Sequence, residues 1–453
     1  MALRGLTLGG DQTLRRDGVR FRNFGLNYPG AVARTFSQPS ATACALTPSA
    51  EQDAMLDVAA SVKAKVLAIK PLGYWPAQFR YGLNNGVAGV ASTSGDREVF
   101  YTAMDAFIAK CRAMGIGVII EPFFRFHTVP DLAGQTGRAG WLTPGSATRN
   151  FVQTVTQEIV TRYLNEEAVY GYQLSGEVNH YIDASDATRG AYPGVNASYG
   201  TPASYSAAND LLVGSDWNTI LTWWYGVVSA IDNQRIVLSG NGPNSYSQPG
   251  GVAGIRTPMS EWHREQVRDN PTNCAEIHWY GNVGYSSPGF RGLNAVLTGV
   301  RHWQKANGRG FVLGEFGNQP WQINSISTSG GVATFSVATA FPAEVGDRIG
   351  VCGTGTALDD KWLTITSINA ARDTVTAATS ISASYSGSVK GLKAIDGTKL
   401  TRMCNDIIKS GVDVALWWML EGDSGRPVGE SIDEPGNAEL RAALLAANTS
   451  LGW

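Results

Sequence analysis

The chain alternates eight times between a short apolar run and a longer segment with helical periodicity. Strands that alternate with helices form a parallel sheet. Eight such units in 453 residues predict an α/β fold, a (β/α)8 TIM barrel, whose functional residues lie at the carboxyl ends of the strands. The strand-like runs are 24–28, 65–70, 117–122, 169–179, 235–239, 275–280, 310–317 and 412–418, and the helical segments are about 50–63, 96–114, 148–165, 205–232, 258–269, 290–306, 399–409 and 436–447.

One segment, 323–390, breaks this alternation. It is rich in Ser, Thr, Val, Gly and Ala, and parts of it, such as Ala333–Val337, alternate with period two. The pattern predicts an inserted all-β module of five or six strands, with 1–322 and 391–453 forming the barrel. Because the module follows the seventh strand, we expect it beside the carboxyl ends of the barrel strands. Near the amino terminus, Asp17-Gly18 between two extended runs predicts a hairpin that closes the floor of the barrel.

The charge balance narrows the class of partner. Apolar residues make up 43% of the chain, charged residues 16%, and the net charge is -2 with no block of like charges. A nucleic acid is a poor candidate because phosphate binding needs a basic patch, and a neutral polymer fits better. No stretch approaches the roughly 20 apolar residues of a membrane span, so no membrane partner is expected.

The amino terminus lacks the apolar run of a signal peptide. Three routes stay open: the chain remains inside a cell, has lost a leader, or is exported in another way. The cysteines form no CxxC pair and the five histidines no HExxH motif, so we expect neither a metal nor another cofactor. Cys111 and Cys274 lie in apolar periodic runs and are expected to be buried thiols.

Polar residues collect where the predicted strands end. Two of them, Glu177 and Glu315, end the fourth and seventh strand-like runs. A pair of carboxylates at one end of a barrel is what retaining glycoside hydrolysis requires, with the two carboxyl groups about 5–5.5 Å apart. One protonates the leaving oxygen and the other attacks the sugar carbon. The polar residues at strand ends are Asn27, Lys70, Glu121, Glu177, His278, Glu315 and Glu421.

This layout resembles the clan A (β/α)8 retaining glycoside hydrolases, and most of all the cellulase-like glycoside hydrolase family 5, over 1–322 and 391–453. The resemblance implies that Glu177 is the acid/base and Glu315 the nucleophile. It also implies that His278 and Tyr280 on the sixth strand support the nucleophile. An aromatic residue that ends the eighth strand would stack on the sugar. Trp418 fits this role, with Trp417 as the alternative, because strand alternation turns only one of them inward.

Two positions depart from the family pattern. Gly176 precedes Glu177 where the family has Asn, and Asn179 lies two residues after Glu177. Lys70 stands where the family has Arg. Either the sugar 2-position is recognised differently or the chain is a divergent branch. Glu121 and His127 are candidates to take over part of that role. The remaining candidates for sugar contacts are Asn27, Trp75 and Trp141.

The predicted module resembles small β domains of bacteriophage tail proteins in Glu344–Val351 and Trp362–Thr366. This resemblance implies that the chain meets an extracellular polysaccharide as part of a virion or a larger assembly.

The leading hypothesis is therefore a retaining, endo-acting β-glycosidase of a poly- or oligosaccharide. A catalytically inactive glycan-binding barrel, such as a tail adhesin, is the alternative of a different class. A lyase or isomerase is a third reading, for which Lys70 is the one candidate base at a strand end.

Overall fold

The computed structural model describes residues 5–33, 46–72, 94–123, 129–132, 135, 137–176, 212, 214–240, 270–280, 293–317, 321–338, 341, 343–420, 431–433 and 435–453. Within these ranges the strands are β1 (Thr7–Leu8), β2 (Leu14–Arg16), β3 (Val19–Arg20), β4 (Asn23–Tyr28), β5 (Val66–Ile69), β6 (Gly117–Ile120), β7 (Val169–Gln173), β8 (Ile236–Leu238), β9 (Cys274–Tyr280), β10 (Gly310–Gly317), β11 (Trp321–Ser329), β12 (Val332–Val337), β13 (Arg348–Val351), β14 (Trp362–Ile368), β15 (Thr374–Ala378), β16 (Ser384–Lys393) and β17 (Val414–Trp418).

The α-helices in the same ranges are α1 (Ser49–Ser61), α2 (Ser94–Ala113), α3 (Val129–Leu132), α4 (Gly137–Leu142), α5 (Ala147–Arg162), α6 (Gly214–Ser229), α7 (Leu293–Ala306), α8 (Gly397–Ser410) and α9 (Ala438–Ser450). None of the described helices is long and apolar enough to span a bilayer.

Eight parallel strands close into a barrel in the order β10-β17-β4-β5-β6-β7-β8-β9. The predicted (β/α)8 barrel with an inserted all-β domain after its seventh strand is thus confirmed. The strands are short and buried on both faces, as parallel strands covered by helices are. The predicted helix at 258–269 lies outside the described residues.

Strand alternation divides each barrel strand between two hydrophobic clusters. In β17, Val414 and Leu416 belong to a cluster inside the barrel, whereas Ala415 and Trp417 belong to the outer cluster that the helices cover. The same period continues beyond the apolar part of each strand. The next inward positions, near the carboxyl ends, are therefore the ones that carry polar side chains.

The predicted hairpin is present at the other end of the barrel. Arg16 pairs with Val19, and both Asp17 (φ 51°) and Gly18 (φ 76°) have positive φ, which is the two-residue turn that suits a right-twisted hairpin. Leu14, which begins β2, packs in the inner cluster, and its backbone N–H donates to Asp413 Oδ2 at 2.9 Å. The amino-terminal strands therefore close the barrel floor.

The inserted domain is a second closed barrel, of six antiparallel strands in the order β11-β12-β15-β14-β13-β16. It has its own hydrophobic core, centred on residues such as Phe335, Ile349 and Val375. Its first and last strands are hydrogen-bonded neighbours, and Trp321 pairs with Leu392. The chain therefore enters and leaves this domain at one place, between β10 and α8.

Polar contacts join the inserted domain to α8 and α9. Arg348 Nη1 lies 2.9 Å from Glu439 Oε2, and Lys399 Nζ lies 2.7 Å from Asp347 Oδ2. The buried Lys393 Nζ donates to Asn437 Oδ1 at 2.9 Å. Because α8 and the segment before α9 begin at the carboxyl ends of barrel strands, these contacts hold the domain on that side of the barrel.

Candidate active site

Seven buried side chains form one layer inside the barrel at the carboxyl ends of its strands. Each is at most 5% exposed. Strand alternation explains why these side chains point into the barrel. Val66 and Ala68 point inward, so Lys70 does too, and Ile119 points inward, so Glu121 does too. This layer, called the mouth layer below, consists of Asn27, Lys70, Glu121, Glu276, His278, Glu315 and Trp418.

A β-bulge turns Glu315 into the mouth layer. Val312 points inward, so strict alternation would turn Glu315 outward toward the helices. The pairing with β9 shifts register between Leu313 and Glu315, so that Leu313 pairs with Ile277 and Glu315 with His278. Gly314 is the additional residue. Bulges of this kind re-aim a side chain, and here the result is an inward carboxylate that is 3% exposed.

The imidazole of His278 lies between two carboxylates. Its Nδ1 is 3.2 Å from Glu315 Oε2, and its Nε2 is 3.3 Å from Glu276 Oε1. All three side chains are buried, at 2–3% exposure. A neutral imidazole has only one N–H, so the protonation of Glu276 and His278 together decides which contacts are hydrogen bonds.

Glu276 connects β9 to the end of β8. Its Oε2 accepts a hydrogen bond from the backbone N–H of Gly240 at 3.0 Å, and its own N–H donates to the Ser239 hydroxyl at 3.0 Å. Burial raises the pKa of Glu276 and the nearby Glu315 charge adds to that rise, whereas the His278 contact lowers it. The group is thus a buried acid with an increased tendency to hold its proton.

Lys70 and Glu121 form a buried ion pair. Lys70 Nζ donates to Glu121 Oε2 at 2.7 Å and lies 5.3 Å from the centre of the Trp418 ring. Burial raises the pKa of Glu121 to about 7, against the lowering effect of Lys70, and the Glu276 and Glu315 charges raise it further. Glu121 Oε1 is buried, and no described residue donates a hydrogen bond to it.

A side chain on β4 forms a hydrogen bond with the backbone next to Glu315. Asn27 Nδ2 donates to the Gly314 carbonyl at 3.0 Å. Of the two tryptophans that end β17, Trp418 belongs to the mouth layer, whereas Trp417 is fully buried in the outer cluster and packs edge-on against Phe316. Trp141 lies in α4 at 1% exposure and packs in the outer core, so it does not extend an open sugar-binding surface.

Several candidates from the sequence lie outside the described residues. They are Glu177, Asn179, Trp75, His127 and Glu421. Glu177 directly follows the described Gly176, which lies three residues beyond the end of β7. Tyr280 ends β9, where its backbone pairs with Gly317.

Sequence reasoning missed Glu276. A signal was present, because Glu276 is the one charged residue in the apolar run Cys274–Ile277 and stands two positions before His278, on the same face of the strand. Among the described residues, no group of His, Cys, Asp and Glu side chains has the arrangement of a metal site. Cys111 and Cys274 are buried thiols, as expected.

Known structures with a similar fold are polysaccharide-degrading enzymes. An endo-1,4-β-mannanase from Rhizomucor miehei matches with a TM-score of 0.54 and 9% identity over 99% of this chain and 99% of that chain. An endo-β-1,4-mannanase from Thermotoga petrophila matches with a TM-score of 0.50 and 13% identity over 96% of this chain and 78% of that chain. An endocellulase from Pyrococcus horikoshii matches with a TM-score of 0.50 and 14% identity over 98% of this chain and 99% of that chain.

At these identities the likeness concerns the fold, and the predicted resemblance to the clan A (β/α)8 glycoside hydrolases of the cellulase-like family 5 is confirmed at that level. No protein-family model and no curated protein matches the chain. The resemblance of the inserted domain to phage tail domains stays a prediction.

Proposed function

We propose that the chain is a retaining glycoside hydrolase that cleaves β-glycosidic bonds inside a polysaccharide, with Glu315 as nucleophile and Glu177 as acid/base. The observation that carries the proposal is the bulge at Gly314. Without it Glu315 would be an outer-face residue; with it, a carboxylate lies in the barrel mouth, 3.2 Å from His278 Nδ1. A carboxylate turned inward at the seventh strand has no packing role that an apolar residue would not fill better.

The reaction follows from two carboxyl groups with different protonation. Ionised Glu315 attacks the anomeric carbon while the Glu177 carboxylic acid gives its proton to the departing glycosidic oxygen. This step breaks the carbon–oxygen bond and forms a glycosyl ester on Glu315. Glu177, now a carboxylate, takes a proton from water, whose oxygen attacks the same carbon and releases the sugar with its original configuration.

The mouth layer supplies groups that interact favourably with a carboxylate. Its neighbour His278 is a hydrogen-bond donor at Nδ1 whenever that nitrogen carries its proton. The buried Lys70 adds a positive charge to a layer that otherwise contains three carboxylates. Trp418 supplies an aromatic face at the same level, and such faces stack on the apolar C–H side of sugar rings.

The substrate class follows from the fold likeness together with the charge of the chain. The similar structures are named as 1,4-β-mannanases and an endocellulase, and the net charge of -2 suits a neutral polymer. We therefore propose β-1,4-linked mannans and glucans as the first substrates to test.

Reducing-sugar release from these polymers tests the function, with wild type, Glu315→Ala and Glu177→Ala side by side. We expect hydrolysis by wild type and a loss in both variants of several orders of magnitude, because removing a member of a catalytic pair removes most of the rate enhancement. Azide should rescue both variants on an activated aryl glycoside, giving the α-glycosyl azide with Glu315→Ala and the β-glycosyl azide with Glu177→Ala.

Glu98→Gln is the matched control, since this carboxylate lies on α2 and its side chain is 68% exposed. It should hydrolyse the polymers at the wild-type rate. Glycan binding without hydrolysis by the wild type would contradict the proposal and favour a binding barrel. Hydrolysis that survives in Glu315→Ala would assign the nucleophile elsewhere.

A further inference from the structure

Glu276 has no part in the two-carboxylate reaction, yet it is one of the most buried acids in the described chain. We propose that Glu276 is a positioning residue for Glu315, acting through the His278 ring on one side and the Gly314 bulge on the other. The inference rests on the proposed function for its kinetic consequences. Its structural content stands on the contacts of the mouth layer alone.

The first contact is with the peptide that carries Glu315. A Cβ atom at Gly314 would lie 1.6 Å from Glu276 Oε1, so the Glu276 carboxylate fills the space that a side chain at the bulge would need. Asn27 holds the carbonyl of the same residue at 3.0 Å. The bulge is therefore clamped between Asn27 and Glu276, and its conformation sets the direction of Glu315.

The second contact is with the imidazole. A carboxylate can only accept, so an ionised Glu315 needs the proton of His278 on Nδ1. The bond between Nε2 and Glu276 needs one more proton, on either partner. The pair Glu276–His278 therefore holds both contacts only when it carries two protons, and then the ring is fixed from both sides with Nδ1–H toward Glu315.

Loss of the second proton would break this arrangement. Glu276 would then face a bare nitrogen, or the ring would move its remaining proton to Nε2 and turn a lone pair toward Glu315. Among the described residues, the charged and polar groups that face Glu276 are Lys70, Glu121, His278, Glu315, the Ser239 hydroxyl and the Gly240 N–H. Burial and the Glu315 charge raise the pKa of Glu276, and the two neighbouring carboxylates, Glu121 and Glu315, outnumber Lys70, which favours retention of that proton.

Two variants separate positioning from simple packing. Glu276→Gln keeps the shape, and its amide can donate to His278 Nε2 and accept from Gly240 without a titrating proton. Glu276→Ala removes both contacts. Asp413→Asn is the matched control, because it replaces a buried carboxylate with a raised pKa at the opposite, floor end of the barrel.

Crystal structures of the Gln and Ala variants give a readout that does not depend on activity. We expect Glu276→Gln to keep Glu315 Oε2 within hydrogen-bonding distance of His278 Nδ1, and Glu276→Ala to displace the Glu315 carboxyl. If Glu315 and His278 keep their positions in Glu276→Ala, the proposal is overturned. Should Glu276→Ala fail to fold, an unchanged ring environment in a Glu276→Leu variant would overturn it equally.

Kinetics with dinitrophenyl β-cellobioside and β-mannobioside test the consequence. This leaving group departs without protonation, so Glu177 does not impose an alkaline limit on bond cleavage. We expect kcat of Glu276→Ala to fall by about 10²-fold, the cost of a misplacement of about 1 Å, with little change in KM. Glu276→Gln should lose less and should lack the alkaline decline of kcat/KM that wild type and Asp413→Asn show.

The same alkaline decline in Glu276→Gln as in wild type would overturn the proton-dependent part of the proposal. An inactive wild type would instead contradict the proposed function, and the crystal structures would still decide whether Glu276 positions Glu315.

Discussion

A Cβ atom on Gly314 would lie 1.6 Å from Glu276 Oε1, far closer than a Cβ atom approaches a non-bonded heavy atom. The glycine is thus required by a carboxylate on the neighbouring strand rather than by its own backbone conformation. Its place directly before Glu315 links the packing of a buried acid to the direction of the proposed nucleophile.

Gly314→Ala should therefore lower activity more than stability. We expect a loss of about 10²-fold in kcat, because the new methyl group displaces Glu276 and with it the bulge, and a cost of about 1–3 kcal/mol in the free energy of unfolding. Hydrolysis assays and urea unfolding measure the two effects. Gly299→Ala in α7 is the control: apart from its chain neighbours and the backbone of its own helix, no atom of the described residues lies within 4 Å of its added Cβ, so it should stabilise by about 0.5–1 kcal/mol and leave activity unchanged. Equal losses in both variants would contradict this account.

Removing one partner of the Lys70–Glu121 pair should cost more than removing both. Lys70→Met leaves the Glu121 carboxyl buried without its cation, and we expect a loss of about 3–5 kcal/mol in the free energy of unfolding. The double variant Lys70→Met with Glu121→Leu should recover much of that loss, because neither charge then remains buried. Urea unfolding of the two single variants and the double variant measures the coupling. Additive losses would mean that the pair does not interact as its 2.7 Å contact implies.

Titration of Glu121 should contribute to the pH dependence of stability. Its pKa is raised from 4.5 to about 7 in the folded chain, so between these values the folded state binds a proton that the unfolded state has lost. This contribution to stability is complete below about pH 4.5 and is lost as the pH rises through about 7. Thermal unfolding across this range should show a steeper fall for wild type than for Glu121→Gln. Parallel curves would assign the titration to other groups.

Lys393 should contribute to stability at the junction of the two barrels. It is 1% exposed, donates to Asn437 Oδ1, and lies 5.4 Å from the centre of the Trp362 ring. Lys393→Met keeps the apolar stem but leaves a buried amide oxygen without this donor, at a cost of about 1–3 kcal/mol. Lys361→Met, at an exposed position of the same domain, is the control and should change unfolding by less than about 0.5 kcal/mol. Equal effects would show that burial of Lys393 does not matter.

The sequence predicted the barrel because its signal is repeated eight times and each repeat has the length of one strand–helix unit. The hairpin at Asp17-Gly18 was equally readable, since both residues tolerate the positive φ that the turn needs. Trp418 was preferred to Trp417 for an inward position on alternation alone, and β17 has no bulge within its pairing to β4 that would reverse that order.

The arrangement of side chains in the mouth layer was harder to predict from the sequence. Alternation counted from Val312 turns Glu315 outward, and only the register shift at Gly314, a property of the pairing between β9 and β10, turns it inward. The pairing partner of a strand is not contained in its own sequence. For the same reason Glu276 went unnoticed: its importance comes from Gly314 and Gly240 on the strands to either side.

The pairing of Trp321 with Leu392 has a consequence for how such a protein can change over time. Neighbouring strands lie about 4.8 Å apart, so the chain returns to within one strand spacing of where it left. Deletion of the inserted domain would leave a gap that a short turn can span, and no strand of the parallel barrel would need to shift register. The second barrel is thus a self-contained unit whose removal or replacement would leave the register of the eight parallel strands unchanged.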